Sequence, residues 1–457
     1  MREKLVMSRY LRIIPINKDN FLVYHSIFGF PQIMNYEGIE FLRQFQKNEK
    51  NKKRINFNDF KDEILKLKSF FFIILENFNE KDLLIQKQKN YLRRIESGKN
   101  IEYLSLIVSN SCNFSCSYCI ASRVMNLNKK NESGVMKIEI AMKAIDFFFA
   151  KLKKNRRKKA YINFGGGEPL LNWKLIKKIL EYCRKKYGES FKITFSINTN
   201  AFLITKEIAK TLKEFKVILA ISLDGLGKAN DLVRKNKNGE GTFNKIIKAI
   251  NILRNEMYPI KGFSTTVTEK NFPFIDEELI NFAHKQKLHY IRIDLDVIHA
   301  LKIPLNLVVK KIFFLKQYGK ERGINITGFW ERPIENFNHS PIKRQVSFCG
   351  GTAGNSLCVN YCGNIYICGY SKDCIGNVNN PESIFGKETR YYKIIVDRLS
   401  GNVTRCHGCF IEGQCAGGCY ITEESVKKEG GESIKYNCRF YKRMTKKLLI
   451  EKVRQII

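Results

Sequence analysis

Three cysteines in eight residues, Cys112-Asn113-Phe114-Ser115-Cys116-Ser117-Tyr118-Cys119, follow directly on the strand-like run 103–108, and no other stretch constrains this chain as much. A cubane iron–sulfur cluster takes four thiolates. A tight loop that offers three leaves one iron with a free coordination position, as catalytic metal sites keep a position for a reactant. The spacing C-x3-C-x2-C therefore points to chemistry. Short cysteine intervals also serve zinc sites and other ferredoxin-like loops, so the rest of the chain has to decide.

At 457 residues the chain is long enough for about three domains. Its 80 Lys and Arg against 44 acidic residues give a net charge of +36, which raises a nucleic-acid or acidic-peptide partner. The lysines are spread over every helix-like segment and no recognition motif accompanies them, so no nucleic-acid partner is expected. Fourteen cysteines read as metal ligands rather than disulfides in a reducing compartment. Residues 1–20 hold no apolar core of a secretory signal, and the densest apolar run, 70–75, is far shorter than a bilayer span. A cytoplasmic protein without a membrane partner is the expectation.

Residues 1–95 carry no cysteine. Runs 11–16 and 21–26 read as a hairpin around Asn17-Lys18-Asp19-Asn20; helices are expected at 36–45, behind the cap Asn35, and at 58–67, with a strand at 70–75. This suits a small winged-helix-like domain, joined by a charged helix at 81–99. From 101 to 300 strand-like runs at 103–108, 160–164, 191–197, 217–223, 262–267 and 290–295 alternate with helix-like segments, which predicts an α/β partial (β/α)6 TIM-like barrel. Residues 301–342 read as a linker containing a helix at 303–326 and then loop. Residues 343–457 form a C-terminal cysteine-rich domain.

Unusual residues gather at the ends of the strand-like runs. The second ends in Gly165-Gly166-Gly167-Glu168-Pro169, where glycines let the backbone approach a ligand and a carboxylate can accept from an ammonium group. The third ends in Asn198-Thr199-Asn200-Ala201. The fourth ends in Ser222-Leu223-Asp224-Gly225, followed by Asp231-Leu232-Val233-Arg234. Glu269, Asp294 and Asp296 are further candidates for proton chemistry at the same mouth. Beyond the linker, Cys349, Cys368, Cys406, Cys409, Cys415, Cys419 and Cys438 follow the order C-x13-G-x4-C, gap, C-x2-C-x5-C-x3-C, gap, C. A zinc ribbon accounts for paired cysteines but not for the Gly363-x4-Cys368 element or the isolated Cys438.

The cysteine loop, with an aromatic residue before its last cysteine, and the Gly-Gly-Glu-Pro turn resemble the radical S-adenosylmethionine (SAM) enzymes. The resemblance implies that Cys112, Cys116 and Cys119 bind a catalytic [4Fe–4S] cluster. Gly166, Gly167, Glu168, Asn198, Ser222, Asp224 and Arg234 would contact SAM, Glu168 at its amino group, Ser222 near its ribose and Arg234 at its carboxylate. The seven-cysteine order resembles the SPASM extension of the branch that acts on peptides and proteins. It implies two auxiliary [4Fe–4S] clusters, one held by Cys406, Cys409, Cys415 and Cys438, the other by Cys349, Cys368 and Cys419 with a fourth ligand left open. Cys358, Cys362 and Cys374 lie outside the pattern, and Cys183 reads as a small core residue.

By the same resemblance, residues 1–95 bind the leader of a ribosomally made precursor peptide by strand addition, and a ferredoxin or flavodoxin delivers electrons. The implied activity is a radical SAM peptide maturase installing a thioether or carbon–carbon crosslink, or a related oxidation. Two alternatives stand beside it: an anaerobic sulfatase-maturing, formylglycine-generating enzyme, and a zinc-containing nucleic-acid-binding module.

Overall fold

Apolar runs too short to stand alone pair with one another near the N-terminus. In this computed structural model, which describes residues 4–46, 57–124, 134–338, 346–426 and 431–456, β2 (Leu11–Pro15), β3 (Asn20–His25) and β4 (Gly29–Asn35) form an antiparallel sheet, and β1 (Leu5–Met7) pairs with β5 (Ile73–Leu75). The hairpin turn forms because the Asn17 side chain accepts from the amides of Asp19 and Asn20, and Asn35 caps the helix Tyr36–Arg43 by accepting from Gly38 N at 2.9 Å. Alternation then divides the sheet's two faces. Leu11 and Val23 pack with Ile39, Leu42, Phe45, Ile64, Leu67 and Phe72 in a core of their own, while Ile14, Leu22 and Tyr24 face the rest of the protein.

The larger sheet follows from six repeats of strand and helix. Strands β6 (Tyr103–Ser109), β7 (Lys159–Gly166), β8 (Lys192–Thr199), β9 (Ile218–Ser222), β10 (Gly262–Val267) and β11 (Tyr290–Leu295) pair in parallel and in chain order. Each shows the same two-sided pattern. In β7, Ala160, Ile162 and Phe164 are fully buried, whereas Tyr161 and Asn163 between them are half-buried on the concave side. Helices cover the convex side. Ile145, Phe148, Phe149 and Leu152 from Ile138–Lys154, and Leu175, Ile176, Ile179 and Leu180 from Trp173–Tyr187, fill that layer, each large aliphatic side chain contributing roughly 1.5–3 kcal/mol. Cys183 lies in this layer, fully buried. The concave face is left to polar residues, which is where a partial barrel holds its ligands.

The sheet is wider than six strands. Residues expected as a linker contribute the helix Leu305–Glu321, the strand β12 (Asn325–Thr327) paired in parallel with β11, and a short helix Arg332–Asn338 where loop was expected; residues 339–342 of that stretch lie outside the described residues. At the other edge β13 (Ser356–Val359) pairs in parallel with β6, followed by antiparallel β14 (Asn364–Tyr366) and β15 (Gly376–Asn377). An open β6 would present a row of unpaired backbone groups, and the cysteine-rich region covers it. No described helix is long and apolar enough to cross a membrane.

Candidate functional site

The loop that carries Cys112, Cys116 and Cys119 leaves the end of β6 and is stapled by its backbone. Ser115 N donates to Lys235 O at 2.8 Å, Ser117 N to Val233 O at 3.2 Å and Cys119 N to Cys116 O at 3.2 Å, so the loop is anchored on the segment that bears Arg234. From the other side the Gly165-Gly166-Gly167 turn closes on it. A Cβ on Gly166 would lie 2.2 Å from Ser109 O, and one on Gly167 2.3 Å from Ser111 O, so only glycine permits this approach; Gly166 also sits at φ 131°. Glu168 N then donates to Ser111 O at 2.8 Å.

Glu168 is buried, and its carboxylate accepts from Leu170 N at 3.0 Å, Thr199 Oγ1 at 2.7 Å and Asn200 N at 2.8 Å. Burial nonetheless raises its pKa, because these bonds only partly offset the loss of water. Asn200 ties the turn to the cysteines, donating through Nδ2 to Asn113 Oδ1 at 2.8 Å and to Cys112 Sγ at 3.8 Å. Thr199 and Asn200 are thus the residues of their turn that join Glu168 to the loop, whereas Asn198 is exposed. Asn198, expected as a SAM contact, is separate from this link, and Thr199 and Asn200, which make it, were not singled out from the sequence.

Tyr118, Asp224 and Arg234 form a buried triad. The Tyr118 hydroxyl donates to Asp224 Oδ2, and Arg234 Nη1 donates to the Tyr118 hydroxyl and, at 3.1 Å, to Asp224 Oδ2. Asp224 Oδ1 accepts from Thr266 N at 2.7 Å, which ties the triad to β10. Burial works against the Arg234 charge, but Tyr118, Cys116 and Asp224 beside it hold the guanidinium protonated. Its Nε is buried without a hydrogen-bond partner among the described residues, and so is Asn113 Nδ2. Both are donors left over beside the cysteine loop, and an acceptor-rich ligand such as a carboxylate fits them. Ser222 is half-buried at the end of β9, in register with Ser264. Asp231 has a different task, accepting from Thr242 N and Phe243 N at 2.7 and 2.8 Å at the start of the helix Phe243–Asn255.

The three weaker carboxylate candidates separate. Glu269 accepts from Lys302 N, and buried Asp296 accepts from Ile298 N, His299 N and His299 Nδ1, so both hold loops. Asp294 is held on the concave face by Arg292 Nε and Phe329 N, each at 2.6 Å.

Burial pushes the Cys112 thiol up to about 11 and the Cys116 thiol up to about 12, with Arg234 pulling both back. The C-terminal thiols of the seven-cysteine order fall into two neighbourhoods, and Cys438 among them is exposed. Cys415 is pushed up to about 12 by burial, to which Cys406, Cys438 and Cys409 add, and those four line a cavity of about 40 Å³ together with Cys419, Tyr441 and Lys442. Cys368, half-buried, has Cys419, Cys349 and Cys358 as neighbours. Cys358 lies in β13 opposite Ser105, with which it is hydrogen-bonded, while Cys362 and Cys374 are exposed. Among the described residues no three His, Cys, Asp or Glu side chains converge on a position for a single ion. Thiols spread around an enclosed space suit a cubane, in which each iron takes one thiolate.

Comparison with known proteins bears on this arrangement. Residues 106–283 match the family described as the radical SAM superfamily. Along 98% of its length the chain is 28% identical to a radical SAM cyclopropyl synthase, TigE, of Paramaledivibacter caminithermalis, covering 96% of that protein. It is 26% identical to a cysteine-type anaerobic sulfatase-maturating enzyme of Clostridium perfringens, over 74% of this chain and 94% of that one. Among solved structures, Streptococcus suis SuiB bound to the precursor peptide SuiA shares the fold with a TM-score of 0.52 at 17% identity, over 94% of this chain and 98% of that one.

Proposed function

The chain belongs to the radical SAM superfamily, and from that premise we propose that it is a peptide maturase that forms a carbon–carbon or thioether bond within a ribosomally made precursor peptide. Such an enzyme binds SAM and a [4Fe–4S] cluster, which together supply a 5′-deoxyadenosyl radical able to abstract hydrogen from an unactivated carbon. Cys112, Cys116 and Cys119 would hold the cluster. Glu168, already tied to the loop through Asn200, would accept from SAM's amino group, and the spare Arg234 donor would meet its carboxylate; Gly166 and Gly167 keep the backbone out of the way. Asn198 and Ser222 lie on the concave side, toward the space the nucleoside would take.

The observation that carries the proposal beyond the superfamily is the grouping of the C-terminal cysteines. Cys406, Cys409, Cys415 and Cys438 surround one cavity, and Cys349, Cys368 and Cys419 form a second neighbourhood. Two auxiliary [4Fe–4S] clusters there would take up the electron that a ring- or crosslink-forming oxidation releases. Similarity to a cyclopropyl synthase over nearly the whole chain favours carbon–carbon closure. The peptide would be recruited by residues 1–95, and a ferredoxin or flavodoxin would supply electrons. Similarity to a sulfatase-maturating enzyme keeps formylglycine formation as the second reading.

Two measurements test this. Anaerobic reconstitution should load about twelve iron and twelve sulfide per chain, the content of three four-iron clusters, without stoichiometric zinc. Incubation with SAM, a low-potential reductant and short peptides encoded beside the gene should give a product lighter by two hydrogens that resists thiol alkylation only if a thioether has formed. A sulfatase-derived peptide converted to an aldehyde instead would select the second reading.

A further inference from the structure

The geometry points to the N-terminal domain as the backing of one wall of the cysteine cavity, with Arg12 and Tyr24 positioning from behind the loop of Cys406, Cys409 and Cys415. Hydrogen bonds join the N-terminal sheet and the turn after it to this loop. Arg12 Nη2 donates to Gly408 O at 3.1 Å, the Tyr24 hydroxyl to Phe410 O at 3.0 Å, and Gly413 N to Ser26 O at 2.7 Å. Gly408 and Phe410 flank Cys409, and Gly413 stands two residues before Cys415. Every contact is to the loop's backbone, so it fixes the chain path that aims the thiols rather than any one side chain.

The approach is close enough to dictate sequence. A Cβ on Gly413 would fall 2.2 Å from Ile27 O, so glycine is required where β3 and its following turn meet the loop. Tyr24 is fully buried, with its ring set edge-on to Phe337 at 4.9 Å. Ser400 Oγ donates to Gly413 O at 3.0 Å from the opposite side, so the loop is held between the N-terminal sheet and the C-terminal domain.

Charge gives the wall a second effect. A four-iron cluster with four thiolates is anionic, and its potential responds to nearby charge, hydrogen bonds and water. Lys442 and Arg405 line the cavity, and Arg12 adds a cation behind the loop, outside the cavity, on the carbonyl of Gly408 next to Cys409.

This inference rests on the reading that the cavity holds a cluster, and the experiment separates the two. Full-length protein is reconstituted anaerobically as wild type, Arg12→Gln, Tyr24→Phe, Cys438→Ala and, as a control on an exposed helix of the same domain, Arg43→Gln. Iron content, iron release in air and a potentiometric titration followed by electron paramagnetic resonance are recorded without any peptide. Arg12→Gln should move one auxiliary signal to a more negative potential, and both Arg12→Gln and Tyr24→Phe should lose part of their iron in air several-fold faster than Arg43→Gln. Unchanged titrations and iron release in both variants, with Cys438→Ala short of about four iron, would overturn the wall and leave the cluster standing. Full iron in Cys438→Ala would remove the cluster reading itself. Tyr24→Phe keeps the ring and its packing, so a null result in that variant is not hidden by unfolding.

Discussion

The two cysteine regions are built on different principles. The barrel loop offers three thiols and stands among charged and polar groups: Glu168, Asp224 and Arg234 are buried and Tyr118 half-buried, in two hydrogen-bonded networks on either side of it. The C-terminal cavity offers four thiols that face one another, with Cys419 at its edge, enclosed by apolar walls, Tyr441 and cations. A closed ligand set asks nothing further of its surroundings, while an open one must hold a second molecule, and the polar neighbourhood is the mark of that requirement.

The sharpest way to break this contrast is to remove one thiol from each region. Cys112→Ala should abolish SAM cleavage altogether and lower the iron content by about four. Cys438→Ala should lose a similar amount of iron yet still cleave SAM, measured as 5′-deoxyadenosine formed with a chemical reductant, while giving no modified peptide. If Cys438→Ala also stopped SAM cleavage, the regions would not divide the labour as their architecture implies.

Next in size are the buried charges. Asp224→Ala leaves the Arg234 guanidinium uncompensated in the interior and should cost about 3–5 kcal/mol in a denaturant titration of the apo-protein, whereas the pair Asp224→Ala with Arg234→Met should recover much of that. Glu168→Gln keeps the shape but turns an amide N–H toward one of three donors, for a cost of about 1–3 kcal/mol. The same variant should raise the SAM concentration needed for half-maximal cleavage, which a merely structural Glu168 would not do.

Legibility differed between the two regions for physical reasons. The six parallel strands, the hairpin around Asn17 and the Asn35 cap were readable because alternation and capping are local rules, and Cys183 in its helix likewise. The grouping of the cysteines was readable because short intervals keep thiols in one loop. What stayed hidden was non-local: that residues 325–327 extend the sheet, that β13 covers β6, and that Asn200 meets the cysteine loop. Tyr118 appeared in sequence only as an aromatic beside Cys119, and its bond to Asp224, 106 positions away, is visible only when β9 and the loop are in place.

The last expected effect concerns a property the two regions share. Burial, reinforced by Asp224, Cys119 and Cys112 and opposed by Arg234, raises the Cys116 pKa from 9.0 to about 12, so in the folded apo-protein the thiol keeps its proton where the unfolded chain has lost it. A raised pKa means the folded state binds the proton more tightly: the contribution to stability is full below about pH 9 and is lost as pH rises toward 12, by up to about 1.4 kcal/mol per pH unit. Apo Cys116→Ala should lack that loss, and because lysines and tyrosines titrate alike in both proteins, the difference between their urea midpoints isolates the thiol. Cys415 is raised to about 12 by burial and by Cys406, Cys438 and Cys409, so apo Cys415→Ala should show the same flattening. A slope at Cys415 without one at Cys116 would mean that water already reaches the barrel loop, and the polar neighbourhood would then be a solvated mouth rather than a sealed one.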